Sequence, residues 1–153
     1  MALADSNFPP GDLMATVFTK IINGEFPGAF VWRDDVCVSF LSINPLNRGH
    51  ALIVPLAEVD QWTDLPAETA AHLMTVAHHV GRAQKAAFSS VRIGQLIAGF
   101  EVPHTHVHVV PIDGMHHLDF ANAAGSVDRD DLAVAADAIV EQLRAAGHEN
   151  ATR

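Results

Sequence analysis

The sequence predicts an α+β domain, with a mainly antiparallel sheet of about five strands and two main helices. Short runs of apolar residues, several of them alternating with polar ones, are typical of strands. Between them lie stretches whose apolar residues recur at helical spacing. Most loops between strands are shorter than a parallel crossover requires, so neighbouring strands are expected to run antiparallel.

The first half of the chain contains one short helix and three strands. Apolar residues at helical spacing end at Gly24, which predicts a helix at 15–23. Strands are predicted at 29–32 and 36–41, joined by a tight turn at Asp34 and Asp35, and at 50–55 after a Pro/Asn/Gly loop.

The second half contains the two main helices and two strands. Asp64 and Pro66 open a long helix at 65–87, whose stripe includes Leu73 and Val80. Strands are predicted at 91–98 and 105–111. The last helix carries an apolar stripe and ends at Gly147. We therefore divide the chain into a flexible leader (1–14), a single domain (15–147) and a C-terminal tail (148–153).

The composition argues against several classes of protein. The chain has 153 residues, of which 49% are hydrophobic and 18% charged, as in a single folded domain. A net charge of −9 disfavours binding to nucleic acid or to anionic membranes. No apolar run approaches the ~20 residues of a membrane helix. Cys37 is the sole cysteine and no signal peptide is evident, so a cytoplasmic location is expected.

Three histidines alternate in the last predicted strand. His104, His106 and His108 should project from one face, while Val107 and Val109 face the core. The outer two lie about 13 Å apart in an extended strand, too far to share one ion. A solvated strand face, a metal site that uses two of the histidines, and nucleophilic catalysis all remain open. The last is favoured, because neutral imidazole attacks phosphorus well near pH 7 and leaves well afterwards.

These residues resemble a known family. The segment from His104 to Val110 is similar to the His-x-His-x-His-x-x motif of the histidine-triad (HIT) family. Segments 16–27, 40–45 and 49–55 resemble its other motifs, in the family's order. The likeness runs from about 16 to 111 and is closest to the compact, Hint-like nucleotide hydrolases.

The resemblance implies a HIT-like fold, commonly a homodimer, and a function. The protein would be a hydrolase or nucleotidyl transferase, without a cofactor, acting on a nucleotide-like phosphoramidate, phosphoanhydride or ester. His106 would attack the α-phosphate and form a covalent phosphohistidine. His104 and His108 would contact phosphate oxygens or hold the nucleophile's tautomer. His50 would line the same site.

The chain departs from the family at its zinc positions. Many members hold a structural zinc at the positions that here are Thr16, Thr19, Glu58 and His104. Hydroxyl groups are poor zinc ligands compared with thiolates and imidazole. We therefore predict no structural metal.

The residues expected to bind substrate are also altered. Ser42 stands where the family usually has a ribose-binding acid, followed by Ile43 and Asn44. Before the triad, Gly99 offers close backbone approach to phosphate, and Phe100 and Glu101 replace Gln and Ser/Thr. A carboxylate beside phosphate is repulsive unless it is protonated, turned away or paired. An alternative prediction is thus a catalytically weak nucleotide-binding or regulatory module.

Overall fold

A computed structural model describes residues 15–153, so the predicted leader at 1–14 lies outside the described residues. The chain forms three α-helices and five strands. The helices are α1 (Val17–Ile22), α2 (Ala67–Ala87) and α3 (Arg129–Ala145). The strands are β1 (Phe30–Arg33), β2 (Cys37–Leu41), β3 (Ala51–Pro55), β4 (Arg92–Leu96) and β5 (Val107–Ile112). Short 3₁₀ turns lie at Trp62–Asp64, Met115–Leu118 and Phe120–Asn122.

The five strands form one antiparallel sheet in the order β1-β2-β3-β5-β4. The predicted fold class is confirmed, and the bounds of the elements differ from the predicted ones by a few residues. The predicted turn between β1 and β2 is stabilised by Asp34, whose Oδ1 accepts the backbone N–H groups of Val36 and Cys37, both at 2.8 Å.

The two faces of the sheet are covered differently. Helices α2 and α3 pack on one face, where Val107 and Val109 join the main core as predicted. On the other face, Phe18 of α1 packs with Phe40 and neighbouring apolar residues of β2 and β3. His108 pairs in register with Leu52, so its side chain lies on this second, more thinly covered face.

Strand β5 begins two residues later than predicted. The backbone N–H and the hydroxyl of Thr105 both donate to the carbonyl of Val59, at 2.7 and 2.8 Å. These bonds tie residues 104–106 to the loop after β3 instead of to the sheet. His104 and His106 therefore precede the regular strand, and their environments diverge.

The C-terminal tail lies along the outer edge of β1. Arg33 donates its backbone N–H to the carbonyl of Asn150 at 3.0 Å, and Thr152 donates to Val31 at 3.2 Å. This edge of the sheet is covered, whereas β4 pairs only with β5 within residues 15–153. None of the helices in that range is long and apolar enough to cross a bilayer.

Candidate active site

A cavity of about 800 Å³ opens on the face of the sheet that carries the histidines. Its walls come from α1, the segment just before β1, the end of β2, the loop after β5 and the start of α3. Seven of the predicted site residues line it: Ser42, Ile43, Asn44, His50, Glu101, His106 and His108.

Three predicted site residues do not line the cavity. The Phe100 side chain is 98% exposed to solvent. Gly99 adopts a left-handed φ of +88°, and no atom of residues 15–153 lies within 4 Å of the position that a Cβ would take. His104 is fully buried and is bonded on both ring nitrogens to other parts of the fold.

His50 and His108 form a hydrogen-bonded pair with a defined direction. The backbone N–H of Leu46 donates to His50 Nδ1 at 3.0 Å, so a neutral His50 carries its proton on Nε2. That Nε2–H donates to His108 Nδ1 at 2.9 Å. His108 then holds its own proton on Nε2, where it can serve as a donor to a bound anion.

The tautomer of His106 is set by a backbone carbonyl. Its Nδ1 lies 2.7 Å from the carbonyl oxygen of His104, which can only accept, so Nδ1 carries the proton. The lone pair of a neutral ring then resides on Nε2. The rings of His106 and His108 lie edge to face, with centroids 4.8 Å apart. An unprotonated nitrogen and a donor N–H thus stand side by side in the wall of the cavity.

Burial keeps the supporting histidines neutral. Burial, together with the nearby His106, lowers the pKa of His50 to about 4. Burial, together with His50 and His106, lowers the pKa of His108 to about 3. Near pH 7 both rings are neutral, so the tautomers described above persist.

The positions of the family's zinc ligands come together here without the chemistry that zinc requires. Glu58 Oε1 accepts the Thr16 backbone N–H and the Thr19 hydroxyl, both at 2.6 Å. The Thr16 hydroxyl lies 2.8 Å from His104 Nδ1, and His104 Nε2 lies 2.8 Å from the Pro55 carbonyl. Both imidazole nitrogens are engaged, and two of the remaining groups are hydroxyls. This set does not fit a structural zinc.

Two aromatic residues at the site were not predicted as functional. Phe18 contacts His106 edge to face with ring centroids 4.9 Å apart, and Phe120 contacts His108 at 5.0 Å. The helical spacing of Phe18 marked it only as a core residue. Phe120 lies in an irregular loop without periodicity, so no sequence pattern pointed to it.

A buried amide also supports the site from the opposite face. Gln84 of α2 is fully buried, and its Nε2 donates to the carbonyls of Gly49 and Val109, both at 2.8 Å. Gly49 directly precedes His50 in the chain, and Val109 directly follows His108. The sequence signal for this role of Gln84 is a polar residue within the apolar stripe of α2.

Known proteins resemble this chain in sequence and in fold. A model of the HIT domain matches residues 23–115. The chain belongs to the HIT family. It is 33% identical over 100 residues to adenylylsulfatase HINT3 of Arabidopsis thaliana, covering 62% of this chain and 51% of that protein. It is 33% identical over 98 residues to adenosine 5'-monophosphoramidase HNT1 of Saccharomyces cerevisiae, covering 63% and 62%.

A solved structure of the family resembles the whole described domain. A zinc-bound histidine triad protein from Mycobacterium smegmatis aligns with a TM-score of 0.73 and 26% identity, covering 87% of this chain and 96% of that one. The Hint-like assignment made from the sequence motifs is thus confirmed, and some relatives of this HIT protein are named as nucleotide hydrolases.

Proposed function

We propose that this HIT protein hydrolyses a nucleotide-like phosphoramidate, phosphoanhydride or ester at its α-phosphate, through a covalent intermediate on His106. The observation that carries the proposal is the hydrogen bond from His106 Nδ1 to the His104 carbonyl, which leaves the Nε2 lone pair for attack. The named activities of HINT3 and HNT1 support the substrate class.

The proposed reaction has two steps. In the first, His106 Nε2 bonds to phosphorus, the bond from phosphorus to the leaving oxygen or nitrogen breaks, and the displaced group takes a proton from solvent. In the second, water attacks phosphorus and loses a proton to solvent, the P–N bond to His106 breaks and returns the electron pair to Nε2, and the nucleoside monophosphate leaves. His108 Nε2–H donates to a phosphate oxygen in both steps and stabilises the added charge. Nucleotidyl transfer follows the same course when another acceptor replaces water.

The rest of the cavity supports an organic group beside the phosphate. Apolar side chains such as Phe18 and Ile21 line one wall, and Ser42, Ile43 and Asn44 line another. Asn44 is fixed by bonds from its Nδ2 to the carbonyls of Ala124 and Gly125, at 3.2 and 2.6 Å. We assign the nucleoside to this region.

The proposal includes a homodimer in a reducing compartment such as the cytoplasm, with neither nucleic acid nor membrane as partner. The outer edge of β4 has no partner strand within residues 15–153, and the adjacent Met74 and Val91 are 55% and 67% exposed. An unpaired edge beside exposed apolar residues favours association with a second copy. Light scattering after size exclusion measures the mass directly.

Turnover tests the proposal. The protein is incubated with adenosine phosphoramidate and with adenylyl sulfate, with and without a chelator, and release of AMP is measured. We expect turnover that the chelator leaves unchanged and that His106→Ala reduces by roughly a thousandfold or more. His116→Ala, in an exposed loop outside the cavity wall, is the matched control.

A binding module would give a different result. In that case AMP would raise the melting temperature, while neither substrate was consumed faster than by His106→Ala. This outcome would replace the hydrolase with the regulatory alternative. Loss of activity on chelation would instead contradict the metal-independent mechanism.

A further inference from the structure

Four residues near the start of α1 form a closed hydrogen-bond network behind the candidate active site. Thr16 is the N-cap of α1, and its Oγ1 accepts the Thr19 backbone N–H at 3.2 Å. Glu58, in the loop after β3, accepts from Thr16 N–H and from the Thr19 hydroxyl. The proton of the Thr16 hydroxyl then points to His104 Nδ1.

The surroundings of His104 show which of its ring nitrogens carries the proton. The Pro55 carbonyl only accepts, so His104 Nε2 carries the proton. Nδ1 is therefore bare, and its partner must be a donor. The Thr16 hydroxyl provides that donor, because it lies 2.8 Å from His104 Nδ1 but 3.5 Å from the Thr19 hydroxyl. The Thr19 hydroxyl donates its own proton to Glu58, at 2.6 Å.

The network reaches the nucleophile by two routes. The carbonyl of His104 accepts from His106 Nδ1, so any shift of residue 104 displaces the group that orients the attacking ring. Phe18, two residues after Thr16 on α1, packs edge to face on His106. Both contacts depend on α1 being tied to His104.

We propose that Thr16, Thr19 and Glu58 form a metal-free latch that fixes the His104 ring through its bare Nδ1 and thereby positions His106. In this account Thr16 and Glu58 are positioning residues for the proposed reaction. The latch lies where the donor set does not fit zinc, whereas the similar histidine triad protein from M. smegmatis is zinc-bound. In this chain hydrogen bonds connect the start of α1 to His104.

Substitution of Thr16 tests the positioning role, which rests on the proposed function. Thr16→Val keeps the shape of the side chain but removes the hydroxyl, and Thr16→Ser restores it. We expect Thr16→Val to lower kcat about three- to tenfold with KM nearly unchanged, and Thr16→Ser to recover most of the loss. Thr75→Val is the matched control, since Thr75 is exposed on α2 and bonds only its own helix.

Two measurements do not depend on knowing the substrate. The ¹⁵N shifts of the imidazoles report tautomers, and we expect His106 to be Nδ1–H in the native protein and a mixture in Thr16→Val. Titration of native protein with Zn²⁺ alone should leave the ¹⁵N shifts of His104 unchanged. Glu58→Ala, at an exposed position, gives the same tautomer test if Thr16→Val does not fold.

The outcomes separate this inference from the proposed function. If no substrate is turned over but the tautomer of His106 shifts in Thr16→Val, the latch stands and the hydrolase proposal fails. If Thr16→Val matches Thr75→Val in kcat and in the ¹⁵N spectrum, the latch has no positioning role. Stoichiometric zinc uptake that displaces the Thr16–His104 bond would also overturn it.

Discussion

The two ends of the histidine segment have the same residue type but opposite surroundings. His104 is fully buried, with Thr16 on one ring nitrogen and Pro55 on the other. His108 uses one nitrogen to accept from His50 and retains the other for the cavity. Hydrogen-bond partners, rather than position in an alternating pattern, therefore decide which histidine can contact a substrate.

Removing His108, the open end of the segment, should lower turnover more than removing His104, the closed end. We expect His108→Ala to lower kcat about a hundredfold or more, because it removes the N–H beside the attacking nitrogen. His104→Ala should lower kcat by only about tenfold, because it acts through the position of His106. Steady-state kinetics on folded variants measure both. Equal losses would mean that the two histidines do not have distinct roles.

Removing the closed end should have the larger effect on folding. His104→Ala leaves the Pro55 carbonyl and the Thr16 hydroxyl without their partner in the interior. We expect the free energy of unfolding to fall by about 2 to 4 kcal/mol. Urea denaturation of His104→Ala and His108→Ala measures the difference. A smaller loss for His104→Ala than for His108→Ala would contradict the assignment of His104 as a structural anchor.

Acid should destabilise the fold through the histidine pair of the open end. Their pKa values in the folded state, about 4 for His50 and about 3 for His108, lie below the ordinary 6.5. At pH values between the folded-state pKa values and 6.5, the unfolded chain binds more protons than the folded one. The free energy of unfolding therefore falls as the pH drops below 6.5. The free energy of unfolding should decrease by about 2 kcal/mol per histidine between pH 7 and pH 5.

The histidine pair and the carboxylate of Asp34 affect stability over different pH ranges. Burial raises the pKa of Asp34, but hydrogen bonds from Trp32, Cys37, His72 and Val36 outweigh it and lower the pKa to about 2. Its contribution is lost only below about pH 4. His50→Gln should therefore flatten the profile between pH 7 and pH 5, whereas the exposed His116→Gln should not. An unfolding free energy that is constant over this range would contradict the neutral pair.

Substitution at Ser42 should give the smallest effect and sharpen the assignment of the nucleoside region. Ser42→Asp introduces a carboxylate that can accept both ribose hydroxyls. We expect KM for a ribonucleotide substrate to fall about three- to tenfold, with little change for the 2'-deoxy analogue. Equal effects on both would place the sugar elsewhere in the cavity.

The sequence predicted the sheet, the core-facing valines and the groups that meet in the cavity, because alternation and helical spacing report which face a residue occupies. It did not predict the neighbours across the fold. His104 occupies the same alternating pattern as His106. The hydrogen bonds from Thr105 to the Val59 carbonyl, however, hold the adjacent backbone of His104 against the loop after β3. Phe120 reaches His108 from an irregular loop, and the tail at 148–153 pairs with β1 through backbone groups that leave no pattern in the sequence.

The motif also could not show which contacts replace the family's zinc ligands in this chain. The replacement of the family's zinc ligands by Thr16, Thr19 and Glu58 predicted the loss of metal, but not the bonds that join these residues to His104. Those bonds depend on the loop after β3 meeting the start of α1. That contact joins residues 42 positions apart and is set by the packing of the sheet.

Detection of the covalent intermediate is the decisive test of nucleophilic attack by His106. The protein is mixed with excess adenosine phosphoramidate, quenched under alkaline conditions that preserve phosphohistidine, and analysed by intact and peptide mass spectrometry. We predict one nucleoside monophosphoryl group per chain, on His106, in the native protein and in Thr16→Ser, and none in His106→Ala. An adduct on His104 or His108 instead, or turnover without any adduct in native protein and undiminished in His106→Ala, would contradict the account.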